Sequence, residues 1–125
     1  MQFQGNIESL TRQNSYFRQV ISTNVYSQLV VMSLLPGEDI GLETHPDVDQ
    51  TLVFVEGEGE AILNGMVSQF KAGDVVIVPA GTEHNFINKS SVEMKLYTVY
   101  APAEHKDGTI HKTKAEALAD EEDHI

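Results

Sequence analysis

The sequence contains no cysteine, and only eight of its 125 residues are lysine or arginine. The lack of cysteine excludes disulfides, thiolate nucleophiles and thiolate metal sites. Any metal ion must therefore be held by histidine nitrogen and by carboxylate or amide oxygen. The net charge of -11 opposes nucleic-acid binding, and no basic stripe offsets it. We therefore expect neither nucleic acid nor an anionic membrane among the partners.

Long apolar runs are also missing. No stretch approaches the ~18 apolar residues that a membrane-spanning helix requires. The first residues, MQFQGNIESL, lack the basic and apolar regions of a secretory signal. We expect a soluble, cytoplasmic protein. The length and the 41% hydrophobic content predict one domain with a hydrophobic core.

Short segments rich in β-branched and aromatic residues follow one another through most of the chain. We predict strands at residues 16–23, 25–34, 40–45, 51–56, 58–63, 66–70, 75–79, 84–88 and 92–100. Asn64-Gly65 suits the left-handed dihedrals of a type I′ hairpin turn. Many short strands separated by frequent glycines predict an all-β antiparallel sandwich or barrel.

The ends of the chain differ in character from this middle part. Residues 1–14 are polar and lack a usable period, and we interpret residues 1–24 as an N-terminal arm and first strand. Residues 25–101 are predicted to form the barrel core. Residues 102–125 are predicted to form a tail that belongs to the same single domain.

The tail has one clear local signal. Thr113 and Glu116 have the spacing of a capping box, which predicts a short helix from Lys114 to about Glu122. Such a helix is stable only if it docks on the barrel. We expect the acidic end that follows, together with His124, to be solvated and frayed.

Four residues have the types and spacing of metal ligands. Glu43 and His45 are two residues apart, so on a strand they project from the same face. Gln50 opens the return strand with an amide oxygen, and His84 follows the rigid turn Pro79-Ala80-Gly81 with a second imidazole. This set predicts one divalent ion, and its ligand types suit Mn, Fe, Ni, Zn and Co alike.

Each predicted ligand also has a role that needs no metal. The histidines would otherwise be hydrogen-bonded structural residues, Glu43 a surface carboxylate, and Gln50 a group that only orients a metal-bound water. Apolar residues on the same faces are predicted to line the core and, where they reach the mouth, the substrate pocket. They are Leu52, Phe54, Phe86 and Met94.

His105, Asp107 and His111, in the stretch HKDGTIHKT, form a second group of potential ligands. We favour a turn at Asp107-Gly108 that leads into the tail helix over a second metal site. A tail that folds over the barrel mouth as a lid is a third arrangement.

Two segments carry spaced motifs that resemble those of the cupin superfamily. One motif is Gly, five residues, Pro-x-Gly, two residues, His, three residues, Asn. It is met at every position, by Gly73, Pro79, Gly81, His84 and Asn88. The other motif is met in spacing by Gly37, His45 and Gly57. Here Glu43 replaces a usual histidine and Gln50 a usual glutamate, and both replacements can still bind a metal ion.

The resemblance covers about Val25 to Tyr100 and is strongest to the small single-domain cupins grouped with mannose-6-phosphate isomerase. It implies a double-stranded β-helix, or jelly-roll barrel, with one divalent metal in its mouth, and a homodimer. It does not fix the reaction, because cupins include isomerases, dioxygenases, decarboxylases, storage proteins and sensors.

Two functions therefore stay open. The first is a metal-dependent enzyme, of isomerase or dioxygenase type, acting on a small organic acid or sugar derivative. No cluster of Arg or Lys for a phosphate group is evident. The second is a non-catalytic barrel that binds or senses a small molecule. Loss of product formation on His84→Ala, with the fold intact, would favour the enzyme.

Overall fold

A computed structural model of the protein describes residues 2 to 123, which form two antiparallel sheets with a short helix near each end. The strands are β1 (Arg18–Thr23), β2 (Gln28–Leu34), β3 (Asp49–Glu56), β4 (Glu58–Leu63), β5 (Met66–Lys71), β6 (Val75–Val78), β7 (His84–Asn88), β8 (Met94–Ala101) and β9 (Ile110–His111). The helices are α1 (Ile7–Gln13) and α2 (Lys114–Ala119). Within this part of the chain, no helix is long and apolar enough to cross a membrane.

The larger sheet has the strand order β6-β3-β8-β2-β1-β9, and the smaller sheet has the order β5-β4-β7. The core lies between the two inner faces. Phe54 of the larger sheet stacks on Phe70 of the smaller one, with ring centroids 3.8 Å apart, and Phe86 packs against both. This arrangement confirms the predicted all-β double-stranded β-helix with a short C-terminal helix.

The period-2 alternation of the sequence positions the side chains of the larger sheet. Along β3, Gln50, Leu52 and Phe54 are buried and the residues between them are partly exposed. Most predicted strands agree with the structure to within three residues at each end. The hairpin turn at Asn64-Gly65 is confirmed, since both residues have positive φ, 49° and 81°.

The predicted strand at residues 40–45 is wrong. The segment makes two isolated bridges, Asp39 to Ile87 and Glu43 to His84, instead of a continuous ladder. Gly41 interrupts the pairing with a φ of +115°, and its N–H donates to the side chain of Asn85 at 3.0 Å. A glycine that adopts this dihedral redirects the chain at little steric cost.

The interpretation of residues 1–24 as an N-terminal arm and first strand did not include helix α1, which forms at Ile7–Gln13. Asn6 caps this helix by accepting a hydrogen bond from the backbone N–H of Ser9 at 2.8 Å. Thr11 is the buried residue of the helix, which lies against β2, β3 and β8. Docking on the barrel stabilises a helix of seven residues that is too short to be stable alone.

The tail helix begins as predicted, with Thr113 accepting a hydrogen bond from the N–H of Glu116 at 3.2 Å. It ends at Ala119, earlier than the predicted Glu122. The prediction of a solvated acidic end is wrong for Asp123, which is 2% exposed and hydrogen-bonded to His105 and Thr109. His124 lies outside the residues that the structure describes.

Candidate metal centre

The backbone bridge between Glu43 and His84 brings the two predicted metal-binding segments together. Glu43 N donates to His84 O at 3.0 Å, and His84 N donates to Glu43 O at 2.9 Å. His45 lies two residues beyond Glu43, and its ring centroid is 5.1 Å from that of His84. One donor atom from each of the three side chains lies within 4.8 Å of the others. Residues far apart in the chain thus converge at one end of the barrel.

His84 is oriented by the turn that precedes β7. Its Nδ1 lies 2.8 Å from the carbonyl oxygen of Thr82, which accepts a hydrogen bond and so places the Nδ1 proton. The Nε2 lone pair is then free to face the site. Burial and the nearby His45 lower the pKa of His84, although the Thr82 carbonyl opposes this shift. A histidine kept neutral in this way is suited to metal binding.

His45 lies between two carboxylates. Its Nδ1 is 2.8 Å from Glu104 Oε1, and its Nε2 is 3.1 Å from Glu43 Oε2. Nε2 is buried and forms an ion pair with Glu43 rather than a regular hydrogen bond. Burial lowers the pKa of His45, but the two negative charges outweigh burial and raise the pKa to about 9. Burial raises the pKa of Glu43, but the contact with His45 outweighs burial and lowers it.

Gln50 offers a fourth donor atom. Its position on β3 is opposite Tyr100 of β8, and the Tyr100 ring stands edge-on to His45 at 6.0 Å. Gln50 Nε2 donates to Thr98 Oγ1 at 3.1 Å, and Thr98 Oγ1 donates to the Thr51 carbonyl at 2.9 Å. This chain of bonds fixes the amide so that Oε1 is buried without a partner.

Two buried polar atoms therefore lack a hydrogen bond, His45 Nε2 and Gln50 Oε1. Each unsatisfied buried polar atom costs about 1–3 kcal/mol. A cation bound by these atoms together with Glu43 and His84 would remove both penalties. Two imidazole nitrogens and two oxygens suit a divalent transition metal, so the side chains present fit such an ion.

The predicted pocket residues lie in the hydrophobic core. Leu52, Phe54, Phe86 and Met94 are all 0% exposed. They therefore line the core, as predicted, and their contact with a substrate stays a prediction. The space beside Glu43 is instead a cavity of about 240 Å³ between β1 and the tail. Its walls include Phe17, Arg18, Ile40, Glu43, Lys114 and Leu118.

Sequence reasoning missed Glu104 and Arg18. Glu104 follows the last barrel strand and has no local pattern that marks it, yet its carboxylate accepts the Nδ1 hydrogen of His45. Arg18 is in phase with the buried Val20 on β1, and a charged residue at such a position is a signal that the sequence offers. The tail thus lies against the mouth, through Glu104 and through α2 at the cavity wall.

The turn predicted between the tail histidines is present. A turn forms at Asp107-Gly108, with a φ of 75° at Gly108 and the Thr109 N–H donating to the Lys106 carbonyl. His105 Nδ1 lies 2.5 Å from Asp123 Oδ2, and His111 Nε2 lies 2.9 Å from Asp120 Oδ2. Asp107 is exposed and belongs to neither pair.

Comparisons with known proteins identify a family and relatives that this chain resembles. The Cupin domain family profile matches residues 30 to 100. The chain is 43% identical to the uncharacterized protein YrkC of Bacillus subtilis, over 94% of this chain and 66% of YrkC. It therefore spans just under two thirds of that relative's length.

Two solved structures are informative. The crystal structure of BH2720 from Bacillus halodurans aligns with a TM-score of 0.92 and 40% identity, covering 94% of this chain and 93% of that one. A predicted oxalate decarboxylase from Thermotoga maritima aligns with a TM-score of 0.58 and 28% identity, covering 61% and 66%. The first match includes the segments that contain α1 and the tail, because it extends over nearly the whole chain.

Proposed function

Because the chain belongs to the cupin family, whose profile matches residues 30 to 100, we propose that it is a metal-dependent enzyme. It binds one divalent ion in the barrel mouth and acts on a small organic acid or sugar derivative. The observation that carries this proposal is the convergence of donor atoms of Glu43, His45 and His84 to within 4.8 Å of one another, where the buried His45 Nε2, like Gln50 Oε1, has no hydrogen bond. A purely structural site would have these atoms hydrogen-bonded.

Glu43, His45, His84 and Gln50 would hold the ion. When bound, a divalent ion supplies Lewis-acid polarisation of a substrate oxygen. The surrounding residues keep the donor atoms in place. Glu104 accepts the Nδ1 hydrogen of His45, as the Thr82 carbonyl does for His84. Such partners fix the tautomer and orientation of a metal-binding histidine.

Two observations support an enzyme. The cavity of about 240 Å³ reaches Glu43, so a small molecule has room beside the predicted ion. The likeness to a predicted oxalate decarboxylase, at 28% identity, points to chemistry on a small molecule. An isomerase uses the ion as a Lewis acid, whereas a dioxygenase needs a metal such as iron that binds dioxygen.

Elemental analysis of the purified protein tests the metal site. After metal-replete expression, we expect about one ion per chain in the wild type and far less in Glu43→Ala and in His45→Ala, because each loses a ligand. Glu83→Ala is the matched control, since Glu83 is an exposed carboxylate next to His84. A wild type with no more metal than the two ligand variants would show that the ligand assignment is wrong.

Turnover separates the enzyme from a non-catalytic barrel. We expect the metal-loaded wild type to form product from a small organic acid or sugar derivative, and His84→Ala to form none while its circular dichroism spectrum is unchanged. Stoichiometric retention of an unchanged small molecule after purification would instead identify a binding or sensor protein.

We also propose that the protein is a homodimer. Strand β6 is at the edge of the larger sheet, and Val75 and Ile77 on it are 56% and 63% exposed. Exposed apolar residues on an edge strand favour association with another surface. Sedimentation is expected to give a dimer mass for the wild type and a monomer mass for Ile77→Glu. A monomeric wild type would refute the proposal.

A further inference from the structure

Arg18 occupies a position that the barrel otherwise fills with apolar side chains. Across the larger sheet, the strand register places Arg18 opposite Met32, Met32 opposite Leu96, and Leu96 opposite Phe54. The last three are 0% exposed, and Arg18 is 5% exposed. Arginine is almost never buried to this degree unless its charge is paired.

The Arg18 guanidinium lacks such a pair among residues 2 to 123. One terminal nitrogen, Nη1, lies 3.2 Å from His111 Nδ1, and the group lies 5.2 Å from the centre of the Phe17 ring. The Nε atom is buried and has no hydrogen-bond partner. Leaving a buried guanidinium without an ion pair is costly, so an anion in contact with Arg18 would stabilise the protein.

The Arg18 side chain and Glu43 line the same cavity. The volume of this cavity is about 240 Å³. Such a volume equals that of about eight water molecules in the liquid, enough for a small organic molecule. Both Arg18 and a predicted metal ligand therefore face the ligand that the cavity would hold.

Among the described residues, no carboxylate of the cavity wall forms an ion pair with Arg18, although its charge helps to lower the pKa values of Glu43 and Asp123. Asp120 and Asp123 form ion pairs with His111 and His105. Lys114 is paired with Asp39. Glu121 is exposed to solvent. In the part of the chain that the structure describes, Arg18 is the cation of this cavity that lacks a carboxylate partner.

We propose that Arg18 binds the carboxylate group of a small organic acid in this cavity. The guanidinium donates two hydrogen bonds to the two carboxylate oxygens from the side that lines the cavity, a contact that its planar fork favours. The rest of the acid then lies toward Glu43 and the ion. This inference rests on the proposed function and decides between its two substrate classes, in favour of the organic acid.

A carboxylate fits the cavity better than a phosphate group does. The guanidinium fork matches two coplanar oxygens, and the cavity offers a single unpaired cation. The walls also carry Glu43, Asp120, Glu121 and Asp123, which repel a dianion more strongly than a monoanion.

Pyruvate binding to the zinc-loaded protein tests the proposal, with affinity measured by isothermal titration. We expect the wild type to bind pyruvate but not methyl pyruvate, which lacks the negative charge. Arg18→Gln is expected to weaken pyruvate binding at least tenfold, and Arg18→Lys to weaken it less, because lysine keeps the charge but not the fork. Arg12→Gln is the matched control, since Arg12 is exposed and already paired with Glu8 and Glu56.

Zinc content measured in the same samples separates this inference from the proposed function. If Arg18→Gln still binds zinc and its pyruvate affinity is unchanged, the proposed role of Arg18 is wrong. The metal site is not affected by that result. A wild type that holds no zinc overturns the proposed function, and pyruvate titration of that metal-free protein still tests Arg18.

Three further outcomes are decisive. A wild type that binds inorganic phosphate tenfold more tightly than pyruvate overturns the assignment to a carboxylate. A wild type that binds neither pyruvate nor acetate overturns the proposal as a whole. Where circular dichroism shows that Arg18→Gln is unfolded, Arg18→Lys carries the test, and wild-type affinity in that variant overturns the bidentate contact.

Discussion

Two parts of this barrel bring histidines and carboxylates together, and they differ in whether the donor atoms have partners. Glu43, His45 and His84 at the mouth, and His111, Asp120 and Asp123 beside the tail, each place three potential metal-binding atoms within 4.8 Å of one another. We call them the mouth cluster and the tail cluster. Distance alone does not distinguish them.

The hydrogen bonds distinguish them. In the tail cluster, both ring nitrogens of His111 are engaged, with Asp120 and with Arg18. Asp123 binds His105 with one oxygen and accepts from Thr109 with the other. At the mouth, His45 Nε2 and the neighbouring Gln50 Oε1 have no hydrogen-bond partner. Buried polar atoms without hydrogen bonds, rather than proximity, mark a site that is completed by a ligand.

The largest expected contrast comes from removing one histidine of each cluster. His84→Ala should lower metal affinity by more than the 10–100-fold that losing an outer-shell partner costs, because it removes a ligand. His111→Ala should keep the metal but destabilise the protein by about 1–3 kcal/mol, because the buried Arg18 loses a hydrogen-bond partner. Chelator competition and urea unfolding measure the two effects. Metal loss in His111→Ala would contradict the comparison.

The next effect concerns carboxylates that support a histidine. Glu104 and Asp123 both accept a hydrogen bond from the Nδ1 of a buried histidine. Glu104→Gln should weaken metal binding about 10–100-fold, because His45 loses the charge that orients its ring. Asp123→Asn, the matched control, should leave metal affinity unchanged. Equal affinities of the Glu104→Gln variant and the wild type would exclude a supporting role for Glu104.

Metal affinity should also depend on pH through His45. The pKa of this residue is raised to about 9, so below that pH the metal must displace a proton. The apparent affinity should fall by about tenfold for each pH unit below 9. Competition with a chelator of known proton affinity, between pH 7 and pH 9 at about half-unit steps, measures this slope. An affinity that does not change over this range would contradict the assignment of Nε2.

The stabilities of the two clusters should respond to opposite ends of the pH scale. Because the His45 pKa lies above its ordinary value of 6.5, its contribution to metal-free stability is complete below pH 6.5 and is lost as the pH rises to about 9. Burial raises the pKa of Asp123, but the hydrogen bond to His105 outweighs burial and lowers it. Its contribution is therefore present above pH 3.8 and is lost as the pH falls further.

Urea unfolding of the metal-free protein across pH measures the loss of stability at low pH, the acid limb, and the loss at high pH, the alkaline limb. Asp123→Asn should reduce the acid limb and leave the alkaline limb unchanged. Saturating metal should remove the alkaline limb, because the ion occupies Nε2 in place of the proton. An alkaline limb that persists with bound metal would argue against His45 as a ligand.

The smallest expected effect is at Gln50. Gln50→Leu removes the unpartnered Oε1, so the metal-free protein should keep its stability or gain about 1 kcal/mol. Metal affinity should fall about tenfold, since a neutral amide is a weaker ligand than the other three. Parallel unfolding and chelator titrations check the two effects. Destabilisation without any change in metal affinity would give Gln50 a purely structural role.

The residues of the second motif show how far a spaced pattern reaches. His84 starts β7 after a turn and faces the site, as its spacing predicts. Asn88 closes the same motif but has a structural role, since it donates to the carbonyls of Leu34 and Val92. The pattern predicts where both residues lie, and the hydrogen bonds define what each of them does.

The errors have local physical causes. Residues 40–45 have the composition of a strand, but the positive φ of Gly41 breaks the ladder into two bridges. Helix α1 has a capping residue, Asn6, but too few turns to be predicted from periodicity. It forms because it docks on β2, β3 and β8.

The sequence by itself determined most of the strands, the Asn64-Gly65 turn and the approach of His45 to His84, because alternation, dihedral preference and motif spacing are properties of short stretches of chain. Only the tertiary structure decided which buried atoms have partners. Glu104 supports His45, and Arg18 lacks a carboxylate, because barrel closure and tail docking bring together segments whose local sequences carry no information about one another. Hydrogen-bond satisfaction in the interior depends on these long-range contacts.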